Sequence, residues 1–165
     1  MEVYNLSSVI VLVIDDNRHM LRLARTMLSA LGVLNIHEAR DGAEGLEAMT
    51  NVQPDIILLD WVMDGMDGIE FTRQVRQSDN PEINQLPIVM MTSHTQRSRV
   101  EIARDAGITE FLAKPISAHA LYQRIAAVIE RPREFIMAED FIGPDRRRHS
   151  DADYDGPDRR GGGDG

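Results

Sequence analysis

Side chains with carboxyl, amine and hydroxyl groups stand directly after three apolar runs and one mixed segment of the chain. Asp15 and Asp16 follow VIVLVI, Asp60 follows IILL, and Thr92 follows IVMM. Lys114, the only lysine of the chain, follows the mixed segment TEFLA. If these runs are parallel strands of one sheet, their carboxyl ends lie along one edge, where such sheets bind ligands. The spacing therefore predicts a polar site at that edge.

Three carboxylates converging on one crevice repel one another unless a cation lies among them. An all-oxygen ligand set suits a hard ion, so Asp15, Asp16 and Asp60 predict a Mg²⁺ site, with Mn²⁺ as a substitute. In another interpretation, one of the first two acids only caps the helix that follows it. The pair together with a third acid at a strand end favours the metal site.

Lys114 and Thr92 add groups that hold an anion. A compact ammonium suits a phosphoryl oxygen, and a hydroxyl can donate a hydrogen bond to another. Either residue taken alone is equally compatible with an ordinary surface lysine or strand threonine. Together with the acids they indicate phosphoryl transfer, in which Asp60 is the nucleophile because it ends a central apolar strand.

Helical segments separate the apolar runs. One is amphipathic over about residues 20–31 and ends at Gly32, and another covers about 95–106 and ends at Gly107. Two others begin at Asp41 and Asp67, each with a glutamate three residues later, which is a capping pattern. The last begins at Ser117. Five strand–helix units in series predict a parallel sheet with helices on both faces.

The composition of the strands predicts their order. Strands buried on both faces are continuously apolar, whereas edge strands tolerate polar residues. The runs at 9–14, 56–59 and 88–91 are continuous, but NIHEA (35–39) and TEFLA (109–113) are mixed. We therefore expect an α/β fold with five helices and a doubly wound five-stranded sheet of order 2-1-3-4-5, the flavodoxin-like arrangement.

The bulk composition excludes several classes of protein. A formal net charge of −9 disfavours nonspecific binding to DNA, and the absence of cysteine excludes disulfides and thiolate metal sites. The longest apolar run is far shorter than the ~20 residues that span a bilayer. The amino terminus, MEVYNLSS, does not have the pattern of a signal peptide. We expect a cytoplasmic protein that binds neither DNA nor membrane.

Four segments resemble the receiver domain of bacterial response regulators, the CheY-like family. They are VIDDN (13–17), LLDWVMDGMDG (58–68), MTSH (91–94) and FLAKP (111–115), in the family's order and spacing. The resemblance implies Asp60 as phosphoacceptor, and Asp15, Asp16 and the Val62 backbone carbonyl at the Mg²⁺ site. It also implies Thr92 and Lys114 as phosphate contacts, Phe111 as the switch aromatic, and a cis Lys114–Pro115 peptide bond.

The sequence departs from the family pattern at several positions. Position 64, often proline in the family, is Asp64, which adds an acid beside the pocket. Val62 and His94 occupy positions that, in the family, influence the rate of self-dephosphorylation. Phe111 replaces the tyrosine found in other members, and it also fits an ordinary aromatic on a strand face.

The resemblance implies a two-component phosphorelay, with a sensor histidine kinase or a histidine phosphotransfer protein as donor and a protein as downstream target. We expect a stand-alone regulator that is not a turnover enzyme. A hydrolase using an aspartyl phosphate usually has an acid two residues after the nucleophile, where this chain has Val62. A second alternative is an adaptor that works without phosphorylation, although every acid of the site is present.

The last part of the chain repeats itself. Residues 1–133 are expected to form the receiver domain and 134–165 a mostly disordered tail, in which an aromatic-x-GPDRR unit occurs at 141–147 and again at 154–160. The repeat fits either a plain linker or bivalent docking to an acidic protein surface. Docking would use four arginines: Arg146, Arg147, Arg159 and Arg160. An RxxD spacing at Arg148 and Asp151 leaves an anionic cyclic dinucleotide as an alternative target.

Overall fold

The computed structural model describes residues 4–93, 97–130, 135–137 and 142–144. Within these ranges the chain forms seven strands and six helices. The strands are β1 (Ile10–Ile14), β2 (Asn35–Ala39), β3 (Ile56–Asp60), β4 (Ile88–Thr92), β5 (Glu110–Ala113), β6 (Phe135–Met137) and β7 (Ile142–Pro144). The helices are α1 (Arg18–Ala30), α2 (Gly42–Val52), α3 (Gly68–Arg76), α4 (Pro81–Asn84), α5 (Arg97–Ala106) and α6 (Ala118–Glu130).

The first five strands form one parallel sheet in the order β2-β1-β3-β4-β5. This is the predicted order, and it confirms that the two mixed strands lie at the edges. Every residue of β3 and β4 is buried, whereas β2 exposes three of its five residues. The apolar composition of the central strands therefore follows from their burial on both faces.

Each face of the sheet has its own apolar core. Alternate residues of the central strands, such as Val13, Leu58 and Val89, pack with α1 and α6. The residues between them, such as Leu59 and Met90, pack on the other face with α2, α3 and α5. The period of two along each strand thus divides the apolar side chains between two helical layers.

Most helix ends lie where the capping residues predict them. Asp41 and Asp67 cap α2 and α3, and each carboxylate accepts the backbone N–H of the glutamate three residues later. Gly32 and Gly107 follow α1 and α5 with φ of +99° and +108°. Glycine suits these positions because other residues rarely adopt a positive φ.

Two parts of the fold were not expected from the sequence. The first is the short helix α4, which is capped by Asn80 and has Pro81 in its first turn. It brings the number of helices in the described residues to six, one more than the sequence predicted. Within the predicted tail, β6 and β7 form an antiparallel pair in which Ile136 lies opposite Gly143. The boundary between a receiver domain (1–133) and a tail (134–165) stays a prediction. None of the described helices is long and apolar enough to cross a membrane.

A buried arginine joins the loops at the amino-terminal edge of the sheet. Arg76 is 2% exposed, and burial lowers the pKa of its guanidinium to about 9. The guanidinium donates to the carbonyl oxygens of Gly107 (3.0 and 2.8 Å), Asn84 (2.9 Å) and Leu86 (2.7 Å). One side chain of α3 therefore holds the loops that precede β4 and β5.

Candidate functional site

The predicted site residues meet at the carboxyl edge of the sheet. A cavity of about 210 Å³ opens there, between the ends of β1, β3, β4 and β5. The residues that line it are Asp15, Asp16, Asn17, Asp60, Trp61, Val62, Thr92, Ser93 and Lys114. These residues lie together because the strands are parallel and therefore all end at the same edge of the sheet.

Three carboxylates dominate the cavity. One oxygen from each of Asp15, Asp16 and Asp60 lies within 4.8 Å of the others. Asp15 is fully buried and Asp60 is 6% exposed, whereas Asp16 is open to solvent. Among the lining residues, these three acids face a single ammonium, that of Lys114. The cavity is therefore strongly attractive to a cation.

Asp15 is buried, and one of its two carboxylate oxygens accepts no hydrogen bond. Its Oδ1 accepts the Asn17 N–H at 2.9 Å, but its Oδ2 has no hydrogen-bond partner. The pKa of Asp15 is raised from 3.8 to about 6, mainly by burial and to a lesser extent by the charges of Asp60 and Asp16. The Asn17 N–H and Lys114 act in the opposite direction on this pKa. Such an oxygen fits direct contact with a positive ion.

Asn17, rather than either acid, caps α1. Its side-chain oxygen accepts the N–H groups of His19 (2.9 Å) and Met20 (3.3 Å). The interpretation of Asp15 or Asp16 as a mere helix cap is therefore wrong. Both carboxylates remain available to the cavity because the next residue takes the capping role.

Lys114 bridges the acids from β5's side of the cavity. Its Nζ donates to Asp60 Oδ1 at 2.7 Å and lies 3.9 Å from Asp15 Oδ2. The Lys114 N–H donates to the Thr92 carbonyl at 3.0 Å, which aligns the segment after β5 with the end of β4. The peptide bond from Lys114 to Pro115 is cis.

Asp64 contributes a backbone group rather than a fourth carboxylate. Its N–H donates to Asp16 Oδ2 at 3.2 Å, while its own side chain is exposed. Its carboxylate is not among the three that lie together. A proline at this position would have no N–H to donate. The departure from the family pattern thus supplies a hydrogen bond that orients one acid of the site.

Gly68 allows the loop after Asp60 to fold back closely. The Gly68 N–H donates to the Trp61 carbonyl at 2.8 Å. A Cβ at position 68 would lie 2.6 Å from the backbone oxygen of Asp60, closer than a carbon and an oxygen can pack. The end of β3 and the start of α3 therefore touch at a point where only glycine fits.

The other predicted site residues occupy different surroundings. Thr92 is 5% exposed and lines the cavity, and Val62, which is 62% exposed, lines it as well. Phe111 is half-buried on β5 and packs against the core on the α3 and α5 side. It does not belong to the described lining of the cavity. Met90 lies beside Phe111 in the sheet, so Phe111 shares a face with Thr92.

Sequence reasoning missed three contributors, namely the Asn17 cap, the Asp64 N–H and a contact of α5. In that contact the Arg99 guanidinium lies over the Trp61 ring, 5.9 Å from its centroid. Only the cap had a signal in the sequence, since asparagine is as good an N-cap as aspartate. His94 and the tail arginines Arg146, Arg147, Arg159 and Arg160 lie outside the described residues.

The chain is similar in sequence to known signalling proteins. Residues 11–126 match the response regulator receiver domain family. The chain is 33% identical over 121 residues to the chemotaxis protein CheY of Pseudomonas aeruginosa, covering 73% of this chain and 96% of that protein. It is 31% identical over 121 residues to the chemotaxis protein CheY-3 of Vibrio cholerae, covering 73% and 92%.

Solved structures are similar in fold. The chemotaxis protein CheY4 of Vibrio cholerae superposes with a TM-score of 0.68 at 28% identity, covering 73% of this chain and 98% of that one. A putative response regulator from Chloroflexus aurantiacus gives a TM-score of 0.68 at 28% identity, covering 75% and 100%. The similarity in both cases extends over nearly the whole of the compared chain.

Proposed function

Because this chain belongs to the family of response regulator receiver domains, we propose that it is a switch of a two-component system, phosphorylated on Asp60. The observation that carries the proposal is the meeting of three carboxylates and Lys114 in one cavity. The donor is a phosphohistidine on a sensor histidine kinase or a histidine phosphotransfer protein.

In the proposed reaction a carboxylate oxygen of Asp60 attacks the phosphorus of the phosphohistidine. A P–O bond forms, the P–N bond breaks, and the imidazole nitrogen leaves with the electron pair. Lys114 already lies 2.7 Å from Asp60 Oδ1, so its ammonium can pass to a phosphoryl oxygen as the charge moves there. In the proposed reaction the hydroxyl of Thr92, which lies at the end of the adjacent strand, donates to a second phosphoryl oxygen.

The acids of the cavity fit a divalent ion. Asp15, Asp16 and Asp60 would hold Mg²⁺ or Mn²⁺, together with the Val62 carbonyl, because hard ions prefer oxygen ligands. The buried Oδ2 of Asp15, which accepts no hydrogen bond, supports this assignment. When bound, the ion would neutralise negative charge on the phosphoryl group. It would also reduce the repulsion between that group and the three carboxylates.

We also propose that the domain signals rather than turning over substrate. Two residues after Asp60 stands Val62, which has no proton to give to a leaving group and is mostly exposed. Phe111 and Thr92 share a face of adjacent strands. Movement of Thr92 toward a phosphoryl group would open space for Phe111 to turn inward, which changes the surface seen by a downstream protein.

The first prediction tests the phosphoacceptor. Incubation with a small-molecule phosphodonor and Mg²⁺ should add one phosphate to the wild type and none to Asp60→Asn, as read by intact-protein mass spectrometry. Asp64→Asn is the matched control, because it removes a carboxylate from the same loop but leaves Asp60 in place. Full phosphorylation of Asp60→Asn would overturn the proposed function.

A further inference from the structure

Helix α5 is in contact with the functional site at its first turn. Arg99 lies over the ring of Trp61, and Trp61 directly follows Asp60 and lines the cavity. Trp61 is 6% exposed, so its ring cannot shift without disturbing its neighbours. A change at Asp60 therefore has a short physical route to α5.

The attachment of α5 to the core is weak. Among residues 99–106, whose burial the structure describes, Ala103 and Ala106 are the buried ones, and Ile102 is 49% exposed. Two methyl groups bury little apolar area, and elements with little buried area are those that move at low cost in free energy. Helix α5 has the properties of a movable element.

The hairpin of β6 and β7 lies against this helix. Cα atoms of β7 come within 8 Å of Cα atoms of α5, and Pro144 at the end of β7 is buried. The hairpin has three residues in each strand. An isolated two-stranded hairpin is at best marginally stable in water, so its packing on α5 is what stabilises it.

We propose that strands β6 and β7 are an intramolecular cover of α5, and that phosphorylation of Asp60 releases them. The residues Ile142–Pro144 belong to the first aromatic-x-GPDRR unit, which gives that unit a role within its own chain. A hairpin of this size binds α5 weakly enough for a protein target to displace the hairpin. The release step rests on the proposed function, whereas the docking of the hairpin does not.

Docking is tested in the full chain by breaking the hairpin. Ile136→Pro places a proline in the centre of β6, where it removes an N–H and restricts the backbone. Gly162→Pro, outside the hairpin, is the control. Without metal, amide hydrogen exchange in α5 should rise by about threefold or more in Ile136→Pro, with α1 unchanged. Equal exchange of α5 in the wild type and Ile136→Pro would overturn the cover.

Release is tested with beryllium fluoride and Mg²⁺, a stable analogue of the phosphoryl group, through the fluorescence of Trp61, the only tryptophan. Coupling between two sites is reciprocal, so a hairpin that the analogue releases must also oppose the analogue. Ile136→Pro should bind it about fivefold more tightly than the wild type or Gly162→Pro.

Two results would contradict the release step in different ways. Equal affinity of Ile136→Pro and the wild type for the analogue would show that the cover is not coupled to Asp60. Failure of every variant to bind the analogue would overturn the proposed function, and the release step with it. The hydrogen exchange of α5 decides the docking of the hairpin in either case.

Discussion

At the scale of single residues, the site depends on backbone donors as much as on side chains. Asp16 is exposed, and the Asp64 N–H orients its carboxylate. A solvated carboxylate otherwise samples several rotamers, which weakens its contribution to a metal site. The identity of residue 64 therefore matters through its N–H rather than through its charge.

Asp64→Pro should weaken Mg²⁺ binding, whereas Asp64→Asn should leave it nearly unchanged. The loss of one hydrogen bond to a charged group corresponds to about 1.5 kcal/mol, or roughly tenfold in the dissociation constant. Titration of Mg²⁺ followed by Trp61 fluorescence measures both variants. Weakening of equal size in the two variants would show that the carboxylate, and not the N–H, is what matters.

At the scale of elements, close approach of the backbone joins β3 to α3. Gly68→Ala should destabilise the domain by about 2 kcal/mol or more, because its Cβ would press on the Asp60 carbonyl. The matched control is Gly42→Ala. Its Cβ would meet the flexible side chain of Met66 instead of backbone. Urea unfolding measures both variants, and equal losses would contradict the assignment of strain to the β3–α3 contact.

The loops at the opposite edge depend on Arg76. Arg76→Ala would leave the carbonyls of Gly107, Asn84 and Leu86 without their donor, and should cost about 3 kcal/mol or more in unfolding free energy. Arg73→Ala is the control, since Arg73 is exposed in the same helical turn. It should change the stability by less than about 0.5 kcal/mol. Similar losses in the two variants would refute the role of Arg76.

At the scale of the whole molecule, the site opposes stability. Asp15 ionises near pH 3.8 when unfolded, but burial raises its pKa to about 6 in the folded protein. Between these values the folded protein binds more protons than the unfolded chain, so the unfolding free energy falls as pH rises. The stabilising contribution of Asp15 is complete below pH 3.8 and lost above about pH 6.

Asp15→Asn removes this penalty. Without divalent ions, it should be more stable than the wild type at pH 7, by up to about 3 kcal/mol from a shift of about two pKa units. The advantage should shrink toward pH 4, and Mg²⁺ should stabilise only the wild type. Urea unfolding at several pH values provides the comparison. A difference that does not vary with pH would show that the ionisation of Asp15 is not its cause.

The sequence predicted the parts of this molecule that follow from burial. The apolar composition of β1, β3 and β4 indicated the centre of the sheet, and parallel strands brought Asp15, Asp60 and Lys114 to one edge. The burial of Arg76 was missed, although it continues the spacing of Ile69, Thr72 and Val75 on the buried face of α3. A charged side chain in the core has to be satisfied by partners distant in sequence, which no local pattern reveals.

The remaining omissions have similar causes. The Asp64 N–H has no signature in the sequence, because every residue except proline carries one. Helix α4 has four residues, too few for a helical period to be visible. The strands of the hairpin are three residues long and lie within a polar segment. The packing of β7 on α5 is a contact between parts of the chain that are distant in sequence.

Lys114 is the only lysine of the chain, so its Nζ is the protein's single side-chain amine. The Lys114 side chain is 24% exposed, and its Nζ forms the ion pair with Asp60. An acetylating enzyme or an amine-acylating reagent therefore has one lysine target, and it lies inside the proposed phosphorylation site. Acetylation would remove the positive charge and leave the Asp60 carboxylate without its counter-ion. Acylation of Lys114 should therefore interfere with the proposed phosphorylation of Asp60.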